Sequence, residues 1–181
     1  MTLTYSLDNN DYLQHQLYLA SKSKRIKNKR FKSWIATTMF FLSLVLLFYV
    51  SNNEVLTSYF IVIAFINLIL YPFYSRYHYK KHYQTYIDDV YKNRLGETLT
   101  VIFNDTTIDM YDKAGEAKIN LSEIGEIAEI KDYIYVRIKA GVSLIIPKVK
   151  LNDADSVIIY LKSFANDSGI SYNTELNWRW K

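Results

Sequence analysis

The chain contains no cysteine, only five glycines and only two prolines. The lack of cysteine excludes disulfide bonds, thiolate catalysis and cysteine-ligated zinc, and it agrees with a domain that faces the cytosol. The sequence also lacks a glycine-rich phosphate loop, a G-x-S-x-G elbow and an H-E-x-x-H helix. These absences predict a protein that is not an enzyme and that carries no cofactor.

Charged side chains are missing from two long apolar stretches, 33–53 and 55–75, which are separated only by Glu54. About 20 apolar helical residues span the roughly 30 Å hydrocarbon core of a bilayer, so each stretch is long enough to cross it. The polar residues 51–54 are suited to a tight turn. Residues 33–75 are therefore predicted to form a transmembrane hairpin of two helices.

Acidic residues are also missing around the basic side chains that flank this hairpin. By the positive-inside rule, the basic flanks predict that both termini are cytoplasmic and that the protein lies in the inner (plasma) membrane. The side chains expected at the lipid surface are Lys22, Lys24, Arg25, Lys27, Lys29, Arg30, Lys32 and Arg76.

The charge is distributed unevenly along the chain. Residues 1–95 carry 12 Lys and Arg against 5 Asp and Glu, whereas residues 96–181 carry 10 against 13. The excess of positive charge thus lies beside the predicted spans, where an anionic leaflet attracts basic residues. The lipid bilayer, and not nucleic acid, is the partner that this placement predicts.

The segments before and after the hairpin show different periodicities. Alternation over Leu3–Leu7 predicts a short strand, and helical spacing from Tyr12 predicts a basic amphipathic helix that continues into the first span; together they form an N-terminal segment, 1–32. Tyrosines after Pro72 resemble an interfacial aromatic belt. A juxtamembrane helix is expected over 76–95, with Gly96 as its stop.

From Leu99 onward the pattern alternates with period two, which indicates strands. Six are expected, up to a strand that Pro147 ends, followed by an amphipathic helix capped at Asn152 or Asp153. Residues 96–181 are thus predicted to be a cytoplasmic β-rich α+β domain, with one antiparallel sheet of five or six strands closed by a terminal helix.

A family resemblance covers nearly the whole chain. Tyr5, Asp11-Tyr12, Tyr18 and Ser21-Lys22-Ser23, followed by a two-span hairpin, a small β-domain and Ile145-Ile146-Pro147-Lys148, resemble bacterial YcxB-like membrane proteins. The resemblance implies a bacterial integral membrane protein with a pleckstrin-homology-like cytoplasmic domain. It implies no catalytic residue, and it does not explain the tip Trp178-Arg179-Trp180.

Three further groups of residues are candidates for a site. The strand 133–139 is expected to present Tyr135, Arg137 and Lys139 outward as a partner-binding face, because aromatic and basic side chains are common at binding hot spots. Asn67 is expected to pair between helices, either within the hairpin or between hairpins of a homo-oligomer. His78 and His82 share a helix face, but two ligands are too few for a metal site.

Several function classes remain open at this level. The leading expectation is a membrane-anchored interaction or sensing module that binds a protein or peptide. An immunity or envelope-protection protein that binds a toxin or phage component is an alternative. A third is a module that binds anionic lipids through its basic helix.

Overall fold

A computed structural model describes residues 1–92, 94–113 and 115–181. Asn93, in the predicted segment 76–95, and Ala114, in a predicted turn, lie outside the described residues. The chain divides into two compact units. The sheet unit comprises residues 1–15 and 86–179, and the helical unit comprises residues 16–85 and 180–181.

Helices dominate the first half of the chain. After β1 (Thr2–Ser6) come α1 (Asn9–Lys22), α2 (Lys24–Val50) and α3 (Glu54–Val90). Both α2 and α3 are long and apolar enough to cross a membrane. The two long apolar helices predicted from the sequence are thus confirmed.

The ends of these helices correct two expectations. The first helix does not continue into α2, because Ser23 interrupts it and caps α2 by accepting a hydrogen bond from the backbone N–H of Ile26. Downstream, α3 continues through Pro72 as one helix and ends at Val90, so Gly96 is not its stop. Gly96 instead adopts a φ of 75° in the loop before the next strand.

The two long helices pack against each other in the helical unit. Ordered from the turn outward, the contacts are Phe48 stacked on Phe60 (ring centroids 5.3 Å apart), Asn67 Nδ2 to Thr38 Oγ1 (3.1 Å), Ser33 Oγ to Tyr71 OH (2.5 Å) and Arg30 Nε to Ser75 Oγ (3.3 Å). Small residues allow close approach, and Ala64 and Ser75 are the buried residues of α3 in this unit. The pairs step along both helices in opposite directions, as an antiparallel hairpin requires.

The sheet unit contains two four-stranded sheets. The first has the order β1-β2-β3-β4, with β2 at Thr98–Phe103, β3 at Thr107–Asp112 and β4 at Gly115–Asn120, and all of its pairings are antiparallel. The second has the order β7-β6-β5-β8, with β5 at Ile124–Ile130, β6 at Tyr133–Ile138, β7 at Ser143–Pro147 and β8 at Ser171–Glu175. Strand β8 pairs with β5 in parallel.

The prediction of antiparallel strand pairing is confirmed. The prediction of a single sheet of five or six strands is wrong, because the strands form two sheets of four. Alternation locates strands along the chain and does not show which strands pair. Strand β1 joins β2 across the intervening helices, in the register Leu3 opposite Val101. Strand β8, which the sequence analysis did not predict, extends the second sheet.

Helix α4 (Ala154–Asp167) completes the sheet unit. Asp153 caps it by accepting from the backbone N–H of Ser156 at 3.0 Å. Its buried stripe, Val157, Leu161, Phe164 and Ala165, belongs to the core of the unit, and Phe164 packs edge-on against Phe103. Two short 3-10 helices are also present: Leu121–Glu123 lies between β4 and β5, and Lys148–Lys150 lies between β7 and α4.

Candidate functional site

The helical unit contains a cleft between the N-terminal turns of α2 and the part of α3 that follows Leu70. We call it the interhelical cleft; its volume is about 370 Å³. Cationic, imidazole and hydroxyl side chains line it: Lys29, Arg30, Ser33, Tyr71, Tyr74, Ser75, His78, Tyr79 and His82. Nearly all of its polar groups can donate hydrogen bonds, and none is a carboxylate.

Arg30 lines this cleft and is held from several sides. Its Nε donates to Ser75 Oγ at 3.3 Å, and its Nη1 donates to the backbone carbonyl of Lys181 at 2.8 Å. The guanidinium carbon lies 5.7 Å from the ring centroid of Tyr79 and 4.8 Å from that of Trp180. Contacts of this kind fix the orientation of a guanidinium without cancelling its charge.

Trp180 takes part in this arrangement. Trp180 is buried, and its indole Nε1 donates to the backbone carbonyl of Arg76 at 3.2 Å. Trp180 and Lys181 belong to the helical unit, although they are more than 90 residues away from it in sequence. No local pattern in the sequence predicted this contact, because the composition of the tip does not indicate which distant residues it packs against.

A second cleft, which we call the apolar cleft, adjoins the first. Its volume is about 250 Å³, and it shares Arg30, Tyr71 and Ser75 with the interhelical cleft. The remaining lining residues are Lys27, Phe31, Trp34 and Pro72. The indole Nε1 of Trp34 is buried without a hydrogen-bond partner in the described part of the chain.

The charge of the helical unit has one sign. It holds eleven Lys and Arg residues and one acidic residue, Glu54, which is the first residue of α3 at the opposite end of the hairpin. The cations around the cleft are therefore not neutralised by acidic side chains of their own unit.

The basic residues predicted to contact lipid occupy the end of α1, the first turns of α2 and one position on α3. All but Arg30 are exposed. Lys22 lies 5.3 Å from the ring centroid of Tyr18, whereas Lys29 and Arg30 line the interhelical cleft and Lys27 and Arg30 line the apolar cleft. The structure thus separates residues that share a cleft from residues, such as Lys32, that line neither.

Asn67 and the histidine pair have distinct surroundings. Asn67 donates to Thr38, whose hydroxyl in turn donates to the carbonyl of Trp34 at 2.9 Å, so the amide joins α3 to α2 within one hairpin. His78 and His82 lie in the interhelical cleft. Among the described residues, no group of three or more His, Cys, Asp or Glu side chains is arranged to hold a metal ion.

The predicted partner-binding face on β6 requires a correction. Tyr135 is completely buried, not outward, because the first half of α1 covers that face of the sheet. Its ring lies 5.1 Å from the ring of His15 on α1 and is stacked on Tyr133. An alternating strand has two faces, and a helix on the second face removes the polar surface that the pattern suggested.

The two basic members of that face are engaged within the sheet unit. Arg137 pairs with Glu126 on the neighbouring strand at 2.5 Å. Lys139 donates to the backbone carbonyl of Ser122 at 2.6 Å. Tyr135, Arg137 and Lys139 therefore do not form one free surface.

A buried ion pair connects the start of α1 to the end of the second sheet. Asp11 is 2% exposed and accepts hydrogen bonds from Lys150 Nζ at 2.6 Å, Tyr133 OH at 3.0 Å and the backbone N–H of Asp8 at 2.7 Å. Burial alone would lower the pKa of Lys150, but its hydrogen bonds to Asp11 and Asp8 raise it. This saturated cluster stabilises the fold and leaves no group poised for proton transfer.

Glu129 forms the second buried ionic cluster of the sheet unit. Its carboxylate lies 2.6 Å from Lys148 Nζ, 2.9 Å from Tyr172 OH and 3.7 Å from Lys162 Nζ. Burial opposes ionisation, but the hydrogen bonds from Lys148 and Tyr172 lower the pKa of Glu129. The position in β5 gave no sequence signal, because Glu126 and Glu129 look alike in the pattern.

His15 is a buried titratable group without a counter-charge among the described residues. Burial, with a smaller contribution from Arg137, lowers the pKa of His15 to about 4, and its Nε2 has no hydrogen-bond partner among the described residues. The imidazole is therefore neutral at pH 7. It acts as a packing group beside Tyr135.

Comparisons with protein-family models, with curated proteins and with solved structures give no match.

Proposed function

We propose that this chain is an integral membrane protein that anchors a cytoplasmic binding module to the inner membrane. The observation that carries the proposal is the exposure of apolar side chains along both long helices. Leu46 is 64% exposed, Val50 72% and Phe65 63%. Apolar surface on this scale is unstable in water and requires a hydrocarbon environment.

The charges at the helix ends support the orientation. Basic residues flank the open ends of α2 and α3, whereas the turn between them carries only Glu54. Under the positive-inside rule the turn is then external, and both termini, with the sheet unit, are cytoplasmic.

The element order supports a pleckstrin-homology-like sheet unit. A four-stranded antiparallel meander precedes a three-stranded one, β5-β6-β7, and an amphipathic helix follows. The hairpin is inserted in sequence between β1 and β2, and β8 is an addition to the resemblance. Membership in the YcxB-like family is part of this proposal.

Strand addition at β4 is the binding mode that we propose for the sheet unit. Strand β4 is the edge of the first sheet, and five of its six residues are exposed. An edge strand offers backbone donors and acceptors to an extended peptide. A photoreactive residue in place of Lys118 should then cross-link a partner protein in cells, and one in place of Ile159, which is exposed on α4, should not.

The membrane placement is tested by single-cysteine labelling, for which this cysteine-free chain is well suited. An impermeant maleimide should label Ser51→Cys in intact cells, and it should label Lys24→Cys and Asn120→Cys only after lysis. The protein should also stay in the membrane fraction after carbonate extraction. Labelling of Asn120→Cys in intact cells, or release by carbonate, would overturn the proposal.

A further inference from the structure

We propose that the interhelical cleft binds the phosphate headgroup of an anionic glycerophospholipid, with Lys29 and Arg30 as its cationic ligands. The adjoining apolar cleft takes the first part of an acyl chain. This inference rests on the proposed membrane placement and assigns a ligand class and a site to the helical unit.

The positive charge of the interhelical cleft favours an anionic ligand. Lys29 and Arg30 come from one wall of the cleft, His78 and His82 come from the other, and no carboxylate lines it. Glu54 is about 25 Å away along α3, at roughly 1.5 Å per residue. No Asp or Glu side chain of the cleft lining supplies a negative charge to Lys29. Phosphate is an anion that lysine and arginine bind well at a membrane surface.

Contacts within the helical unit hold Arg30 in one orientation before a ligand binds. A guanidinium has five N–H donors, and the contacts to Ser75 and Lys181 use two of them. The rings of Tyr79 and Trp180 and these two hydrogen bonds hold the group in one orientation. Its remaining donors are thus fixed in advance at the boundary of both clefts, which lowers the entropic cost of binding a phosphate.

The adjoining apolar cleft favours a phospholipid over a free phosphate. A free phosphate has no use for an apolar cleft, whereas a phospholipid has acyl chains that begin next to its headgroup. Phe31, Trp34 and Pro72 line the apolar cleft, which meets the interhelical cleft at Arg30 and Tyr71. Trp34 lines this cleft, and its buried indole Nε1 has no hydrogen-bond partner among the described residues.

Depth in the membrane agrees with this assignment. Lys32 is the last charged residue before the charge-free stretch of α2, and Arg76 is the first one after the charge-free stretch of α3. The interhelical cleft spans this boundary on both helices. With the hairpin across the bilayer, the cleft lies at the level of the cytoplasmic headgroups.

The test is native mass spectrometry of the full-length protein in detergent micelles, titrated with phosphatidylglycerol or with phosphatidylcholine. Phosphatidylglycerol should bind at least tenfold more tightly than phosphatidylcholine. Lys29→Gln should weaken phosphatidylglycerol binding by about tenfold, which corresponds to about 1.4 kcal/mol. Lys32→Gln is the matched control, because it removes the same charge one turn away and lines neither cleft, and it should change the affinity less than twofold.

Arg30→Lys separates charge from geometry. It keeps the positive charge but loses the planar fork, and it should weaken phosphatidylglycerol binding more than Lys32→Gln does, with the melting temperature as a check that the hairpin still folds. If Arg30→Lys does not fold, Lys29→Gln against Lys32→Gln decides alone.

Three results would overturn the inference: equal binding of the two lipids, equal losses in Lys29→Gln and Lys32→Gln, or full competition by millimolar inorganic phosphate. The last result would identify a soluble phosphate ligand. Release of the protein by carbonate would instead refute the membrane placement, so the failures of the two proposals are distinguishable.

Discussion

The helical unit and the sheet unit handle apolar and charged side chains in opposite ways. In the sheet unit, Ile127, Ile134 and Val101 are completely or almost completely buried, and basic residues pair with carboxylates, as Lys150 does with Asp11. In the helical unit, large apolar side chains are exposed and the basic residues have a single acidic counterpart, Glu54. The sheet unit satisfies its requirements internally, whereas the membrane placement that we propose would supply hydrocarbon and anionic headgroups to the helical unit.

The largest difference between the two units is expected when a charge is placed on an exposed apolar position in each of them. Phe65→Lys in α3 should cost about 3 kcal/mol of apparent insertion free energy, because a lysine near the centre of a span is poorly solvated by lipid. Ile159→Lys in α4, where the native side chain is equally exposed, should change the free energy of unfolding by less than about 0.5 kcal/mol.

The carbonate-resistant fraction measures the first effect, and the melting temperature of the solubilised protein measures the second. Phe65→Leu is the matched control for loss of the aromatic ring. Equal tolerance of Phe65→Lys and Ile159→Lys would show that α3 is not in contact with hydrocarbon.

Removing a cation from a buried ion pair of the sheet unit should have the next largest effect. Lys150→Met leaves Asp11 buried without its counter-charge and should lower the free energy of unfolding by about 3 kcal/mol. Lys113→Met, which breaks an exposed pair with Glu97, should cost about 0.5 kcal/mol. Denaturant titration in detergent tests this, and similar costs for both variants would contradict an internal role for the Lys150 pair.

His15 should make the stability of the sheet unit depend on pH. With a folded pKa of about 4 and an ordinary unfolded value near 6.5, the unfolded chain binds more protons between these pH values, so stability falls as the pH is lowered through this window. Lowering the pH from 7.5 to 5 should cost about 2 kcal/mol, or roughly 9 °C in the melting temperature of the sheet unit.

The matched variants are His15→Gln, which removes the titrating group, and His82→Gln, which removes a histidine of the helical unit. Only His15→Gln should reduce the difference in melting temperature between the two pH values. Hydrogen bonds from their lysine partners lower the pKa values of Asp8 and Glu129, so these groups titrate below the measured range of pH 5 to 7.5, and both variants retain them. An unchanged pH dependence in His15→Gln would rule out the buried imidazole as its source.

The smallest effect is expected inside the hairpin. Asn67→Leu and Thr38→Val each remove one partner of the interhelical hydrogen bond, and their coupling energy in a double-mutant cycle should be about 1 kcal/mol. Thermal unfolding in detergent of the two single variants and the double variant measures it. Additive effects would show that this hydrogen bond contributes nothing to hairpin packing.

Local patterns were sufficient for the elements of the chain. The charge-free stretches 33–53 and 55–75 predicted the two long helices, and alternation predicted the strands from β1 to β7 close to their observed limits. Both signals depend only on neighbouring residues, since the period of the apolar side chains reflects the geometry of the backbone. They also led to Arg30 and Lys29 as candidates, because a basic run is visible in composition.

The associations between distant segments depended on the tertiary structure. Strand β1 pairs with β2 across the helices, α1 buries Tyr135, and Trp180 reaches Arg30 from the end of the chain. Each of these contacts joins residues that are far apart in sequence. A periodic pattern predicts that one face of an element is buried, but it does not identify the segment that packs against that face. The sequence alone thus determined where the apolar and basic surfaces lie, and only the fold decided which basic residues share a cleft.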